Sequence, residues 1–247
     1  MISERQIAMS FDDLWREATP LLRPNFVAMF NTAFRKSVLD GDGHSVGSVE
    51  SQRGNNPSVV AELGFLIGAQ QVERQKSNVE IRDFLEILEA CKDKAQERIA
   101  RYDELAGIEI SESELEEAIE IAYRYELLLG KKPSSVTFSP LIPGAGIVDS
   151  CEADIADGEC LWEVKAVRRN VSGKDIRQLV VYLALNYASG QNNWTHAGIF
   201  NPRLSLYFRF EVEHLIGLLS GGKSAGEVFH EMATYFSSRE IQIDTEF

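Results

Sequence analysis

Asp154, Glu163 and Lys165 fall in one short run, Cys-Glu-Ala-Asp-Ile-Ala-Asp-Gly-Glu-Cys-Leu-Trp-Glu-Val-Lys, from Cys151 to Lys165. Two carboxylates can hold a divalent cation, and a lysine beside them can orient or deprotonate a water, so the chemistry on offer is metal-assisted hydrolysis. The geometry must come from strands. Asp157-Gly158 between apolar alternations is a hairpin signal. Side chains alternate along a strand, which sets Glu163 and Lys165 on one face and Trp162 and Val164 on the other. A loop of even length, Asp157-Gly158 or Asp157 to Cys160, brings Asp154 to the face of Glu163 and Lys165.

Downstream, Asp175 to Asn186 has the pattern of a helix and carries Gln178 and Tyr182 four positions apart. Thr195 to Arg203 follows it, with strand-like spacing at 197–200. An Asp, a hairpin, Glu-x-Lys and a Gln-x-x-x-Tyr helix, in that order, resemble the PD-(D/E)XK nuclease superfamily and its RecB-like members. The resemblance runs from about Glu112 to Leu215. It departs in one place, since Ala153 stands where the family has a proline before the Asp.

The resemblance implies an α/β, restriction-endonuclease-like core with a central mixed sheet flanked by helices. It also implies a metal-dependent nuclease, endo- or exonuclease, acting on nucleic acid and most simply on DNA, in bacterial defence or restriction. Asp154, Glu163 and the Val164 carbonyl would hold Mg²⁺ or Mn²⁺. Lys165 would position the nucleophile or act as its base. Gln178 would hold the water or a phosphate, with Tyr182 beside it. The family commonly adds an acid from a helix before the first core strand. The context Glu120-Ile-Ala-Tyr-Arg124 favours Glu120 for this part. Periodicity favours Glu126, which joins Leu115, Ile119, Ala122 and Leu129 on one stripe, where a carboxylate is costly unless paired or metal-bound. A surface pair with Arg124 is the ordinary alternative for Glu120.

Composition constrains the partners. The net charge of −13 runs against a chain that grips phosphates over a broad surface. The local exception is Arg168, Arg169, Lys174 and Arg177, which follow the Glu-x-Lys strand and are the candidate nucleic-acid contacts. A protein partner or a second copy is expected to help bring the substrate. No apolar run reaches membrane-spanning length, and the N-terminus lacks a signal peptide's apolar core, so no membrane association is expected. Cys91, Cys151 and Cys160 form no zinc spacing and read as reduced thiols in a cytoplasmic protein.

Residues 1–110 read as a helical N-terminal region, with helices at 10–18, 26–38, 57–75 and 78–105 and a Gly/Ser/Asp/Asn-rich loop at 40–56. Residues 111–247 read as the nuclease-like core. It has a helix capped by Ser111, strands at 146–149, 151–156, 160–167, 197–200 and 204–212, the 174–188 helix, and a last helix over 225–236. Gly217 to Ser224 fits the P-loop spacing, but too little chain follows it to complete a nucleotide-binding sheet. It reads as a Gly-rich turn. Binding of ATP through Lys223 is the weaker alternative, and a catalytically inactive nuclease fold serving as a binding subunit is the main one.

Overall fold

Apolar spacing switches from helical to strand-like in the second half of the chain, and the backbone follows it. The computed structural model describes residues 2–77, 84–102, 109–130, 133–191 and 193–238. Helices α1 (Glu4–Met9), α2 (Asp12–Ala18) and α3 (Pro24–Ala33) precede a two-residue strand, β1 (Lys36–Ser37). Helices α4 (Pro57–Ser77), α5 (Phe84–Tyr102) and α6 (Glu112–Leu129) follow. Next come β2 (Val136–Phe138), β3 (Leu141–Ile142), β4 (Cys151–Glu152), β5 (Ile155–Asp157) and β6 (Cys160–Val164). Helix α7 (Gly173–Ala188) leads to β7 (His196–Asn201) and β8 (Leu206–Glu211), and α8 (Val212–Ser220) and α9 (Ala225–Ser238) end the described chain.

The result is a mixed α/β fold. Six strands form one sheet in the order β1-β8-β7-β6-β5-β2, and β3 and β4 form a separate ribbon. Within this sheet β6 and β7 pair in parallel and the other described neighbours pair antiparallel. A parallel pair needs a crossover, and α7 supplies it. Alternation along β6 feeds two cores. Leu161 packs with α7, α8, α9 and the N-terminal helices, while Cys160 and Trp162 pack with α4 and α6. Helix α7 is apolar nearly all round, with Ile176, Leu179, Val180, Val181, Leu183 and Leu185 buried, as expected of a helix covered on every side.

Several sequence expectations shift. The helix expected over 26–38 stops at Ala33, because the next residues join the sheet: Lys36 pairs with Tyr207, and the Val38 amide donates to the Ser205 carbonyl at 2.8 Å. The first 110 residues therefore contribute an edge strand and helices on both faces of the sheet. The helix expected over 78–105 is described for Phe84–Tyr102; 78–83 and 103–105 lie outside the described residues. Residues 146–149 make bridges only, as Gly146 takes a left-handed turn against the Phe236 carbonyl. Gly217 lies inside α8, Ser224 caps α9, and Lys223 Nζ bonds Glu231 at 2.7 and 2.9 Å. A P-loop needs a strand there, so this segment is a helix–turn–helix.

The most consequential shift is in the strand expected over 151–156. It breaks at Ala153-Asp154. The Ala153 amide turns to the Pro140 carbonyl at 3.1 Å, and the Ser139 amide donates to the Asp154 carbonyl at 2.9 Å. Strand β4 then pairs with β3, while β5 pairs with β2 and β6. The sheet forks at Asp154.

One close approach locks the sheet beside this fork. A Cβ at Gly198 of β7 would overlap the Trp162 ring and lie 2.7 Å from the Phe208 carbonyl oxygen. Backbone and a buried ring cannot give way cheaply. Gly198→Ala is expected to cost about 1–3 kcal/mol in urea unfolding, with the m-value unchanged.

Candidate active site

The hairpin register decides whether the acids meet. Ile155 pairs with Trp162 and Asp157 with Cys160, which leaves a two-residue turn, Gly158-Glu159, with Gly158 left-handed. The turn sits one residue later than the Asp157-Gly158 reading. Its length is still even, so the face is preserved. One step past the Ile155–Trp162 pair, Asp154 stands directly opposite Glu163. The fork bends Asp154 inward, and its Oδ2 accepts the Val164 amide at 2.6 Å.

Glu163 is 1% exposed. One oxygen, Oε1, forms an ion pair with Lys165, and the other, Oε2, is buried with no hydrogen-bond partner. Lys165 Nζ also donates to Gln178 Oε1 at 3.0 Å, and Gln178 Nε2 donates to the Tyr182 hydroxyl at 2.9 Å. Glu163, Lys165, Gln178 and Tyr182 thus form one continuous polar path from β6 onto α7, with Asp154 opposite Glu163 at its start. The charge is not balanced, with two carboxylates and one lysine. Burial first, and then the neighbouring Asp154, push the Glu163 carboxyl up to about 8, against the pull of Lys165. Burial also raises Asp154, although the Val164 amide and Lys165 pull it down. The backbone after Lys165 is held from below, since Asn201 Nδ2 donates to the Val167 carbonyl at 2.8 Å and Arg203 Nε to the Ala166 carbonyl at 3.2 Å.

The two helix acids expected here have other partners. Glu120 is exposed and lies 3.9 Å from Arg124, the ordinary i,i+4 surface pair, and Glu126 accepts Gln75 Nε2 at 2.9 Å. The buried face of α6 runs through Glu117, Ala118, Ile121, Ala122, Tyr125 and Leu129, rotated from the stripe on which Glu126 was placed. The acid whose charge acts on Asp154 is Glu62 of α4, half-buried and 3.0 Å from Arg98. Its signal was in the sequence: Glu62 lies between Val59, Leu63 and Leu66 on an apolar stripe. Arg203 and Glu117, both buried, form a further ion pair that pattern reading missed. Burial raises the Glu117 carboxyl, but Arg203, the Gln52 amide and Asn55 more than offset this and hold it low.

The basic cluster is mostly engaged. Arg168 pairs with Glu50 of the 40–56 loop. Arg169 grips both oxygens of Asp175, the carboxylate that caps the start of α7 through Ser172. Arg177 lies over the Trp15 ring at 5.2 Å and near Asp12. Lys174 is exposed. Elsewhere, Asp40, Asp42 and His44 offer clustered ligand atoms, but Asp40 Oδ1 accepts the amides of Asp42 and His44, which makes the cluster a turn. The three cysteines are free. No family model, characterised protein or solved structure matches the chain.

Raised acids carry a stability signature. The advantage of protonated Glu163 is fully present below its ordinary value of 4.5 and is lost as pH rises through about 8. Glu163→Gln mimics the protonated form. In chelator, thermal unfolding at pH 8.5 should find this variant more stable than wild type by about 1–3 kcal/mol, with the gap closing below pH 5. A gap of the same size at both pH values would contradict the assignment of the charge.

Proposed function

We propose that the chain is a metal-dependent phosphodiesterase of the PD-(D/E)XK type, most simply a DNase, built on a restriction-endonuclease-like core of α6, β2, β5, β6, α7 and β7. The observation that carries this reading is the facing pair Asp154 and Glu163 at the sheet fork, with a buried Glu163 oxygen lacking any donor. Such a pair fits a hard divalent cation, Mg²⁺ or Mn²⁺, because oxygen ligands and an uncompensated negative charge are what these ions select.

Asp154 and Glu163 would hold the ion. The Val164 carbonyl shares the strand edge that its amide presents to Asp154, as N–H and C=O of one strand residue point the same way. Glu62 adds negative charge from α4. The ion, when bound, would lower the pKa of a water and offset charge on the phosphate and leaving oxygen. Lys165 is held between Glu163 and Gln178, so its ammonium is fixed where a water near the acids can be oriented. Tyr182 fixes Gln178 in turn, and through it the lysine. Burial of Glu163 excludes bulk water from one side of the pair, which strengthens each of these contacts.

A second reading, an inactive fold used as a binding subunit, is favoured by one observation: Arg168, Arg169 and Arg177 already have anionic or aromatic partners within the chain. Titration with Mn²⁺ separates the two readings. The active reading expects a thermal shift with wild type that Glu163→Gln abolishes. Cleavage of a labelled DNA is expected only with a divalent ion, and Asp154→Ala, Glu163→Ala and Lys165→Ala should each lower the rate on the order of 10²-fold or more while remaining folded by circular dichroism. Cleavage by Lys165→Ala at the wild-type rate would sink the assignment.

A further inference from the structure

A cavity of about 320 Å³ wraps the outer edge of β8, with β7 between that strand and the β6 strand of the acid pair. It exists because β1 is short. Strand β1 pairs with Leu206 and Tyr207 alone, so the rest of β8, to Glu211, has no strand of the described residues beside it. The chain leaving α3 brings Phe34, Arg35 and Lys36 to one wall, and Arg209, Phe210, Glu211 and His214 of β8 and α8 form the other.

Cations dominate this lining in a chain whose net charge is −13. Arg35, Lys36 and His214 are exposed, and neither Arg35 nor Lys36 makes an ion pair among the described residues. Arg209 is 37% exposed and keeps one contact, Nη2 to Glu159 at 3.1 Å. Glu211 is the acid of the lining. It is also the N-cap residue of α8, a helix that no side chain caps, so the free amides of its first turn add to the positive end. A concave surface lined mainly by one sign of charge concentrates its field on an ion of the other sign. The floor is apolar. The rings of Phe34 and Phe210 meet edge to face with centroids 5.1 Å apart. Cations around an aromatic floor suit a ligand that joins a phosphate to a planar ring, since guanidinium groups fork onto phosphate oxygens and bases stack on aromatic side chains. The volume falls at the small end of ligand sites, about 300–1,000 Å³, which is room for one such unit.

We propose that this cavity binds a nucleoside monophosphate, with the phosphate on Arg35, Lys36 and Arg209 and the base on the Phe34–Phe210 floor. Glu211 would accept a hydrogen bond from the sugar hydroxyl or the base amino group. The cavity shares no residue with the acid pair, so this assignment goes beyond the nuclease reading and does not rest on it.

Calorimetric titration of the full chain with dAMP tests the site. EDTA in the buffer keeps metal off the acid pair. Arg35→Gln and Lys36→Gln are each expected to raise Kd about tenfold and the double variant to raise it further. Deoxyadenosine should bind at least about tenfold more weakly than dAMP, and Lys174→Gln, an exposed control at the start of α7, should bind as wild type does. Both arginine and lysine substitutions are at exposed positions, so thermal melts of the variants should match wild type. No dAMP binding by wild type, or wild-type affinity in the double variant, would overturn the assignment. Inorganic phosphate binding as tightly as dAMP would remove the nucleoside, and a 5′-phosphorylated oligonucleotide binding more tightly than dAMP would replace the free nucleotide with a strand end. DNA cleavage at the acid pair is decided by separate variants and stands or falls alone.

Discussion

Two carboxylates and one lysine share the end of β6, and much of the surrounding structure serves to keep them there. Glu163 has one buried oxygen bonded to Lys165 and one bonded to nothing. A buried group of this kind is expensive, and it survives only where neighbouring structure leaves the side chain no other place to go. Here the limits are physical. Cys160 to Trp162 pairs with β5, Cys160 to Val164 pairs with β7, and the Val164 amide is held by Asp154. Trp162 fills the space above Gly198, and α7 closes the face where Glu163 points. The tension is local, and it is the kind that a divalent cation relieves.

The hairpin was legible in the sequence because its parity does not depend on the turn being placed correctly. A two-residue loop at Asp157-Gly158 and one at Gly158-Glu159 leave Asp154 on the same face; only its partner changes, and Glu163 becomes that partner directly. The Gln178–Tyr182 spacing was equally safe, since four residues on a helix always share a side. Glu62 lies far upstream in sequence: its place on an apolar stripe marks it as part-buried, but its approach to Asp154 depends on how α4 docks, which periodicity does not encode. The resemblance points to α6 for the helix acid, since the family commonly adds one from a helix before the first core strand. Leu115 and Ile119 do pack against the core, but the fully buried face of α6 also takes in Glu114, Glu117 and Arg124, which bond to the 47–56 loop and Ser205. Polar residues satisfied by a loop look exposed in a hydropathy pattern.

The arginines make the same point about charge. Read along the chain, Arg168, Arg169 and Arg177 form a basic patch; in three dimensions each is spent on architecture. Arg169 steadies the cap of α7, and Arg168 ties down the 40–56 loop. Arg203, which no motif marked, is buried and joins α6, the loop and the backbone beside Lys165 through Glu117, Ser51 and Ala166. Sequence clustering of like charges reports local solvation, and pairing with distant acids decides what remains available to a ligand.

The lacing of Ile2 to Ile147 and Asp149, together with the bond from the Ile147 amide to the Phe236 carbonyl, joins the beginning, middle and end of the described chain. Contacts so distant in sequence make folding slow, because the entropy of closing the loop is lost before the contact forms. A chain emerging from the ribosome N-terminus first carries Ile7, Trp15 and Phe30 without their final neighbours until Val148, α7 and α9 have been made. The core that backs the acid pair therefore closes only once α9 has been made.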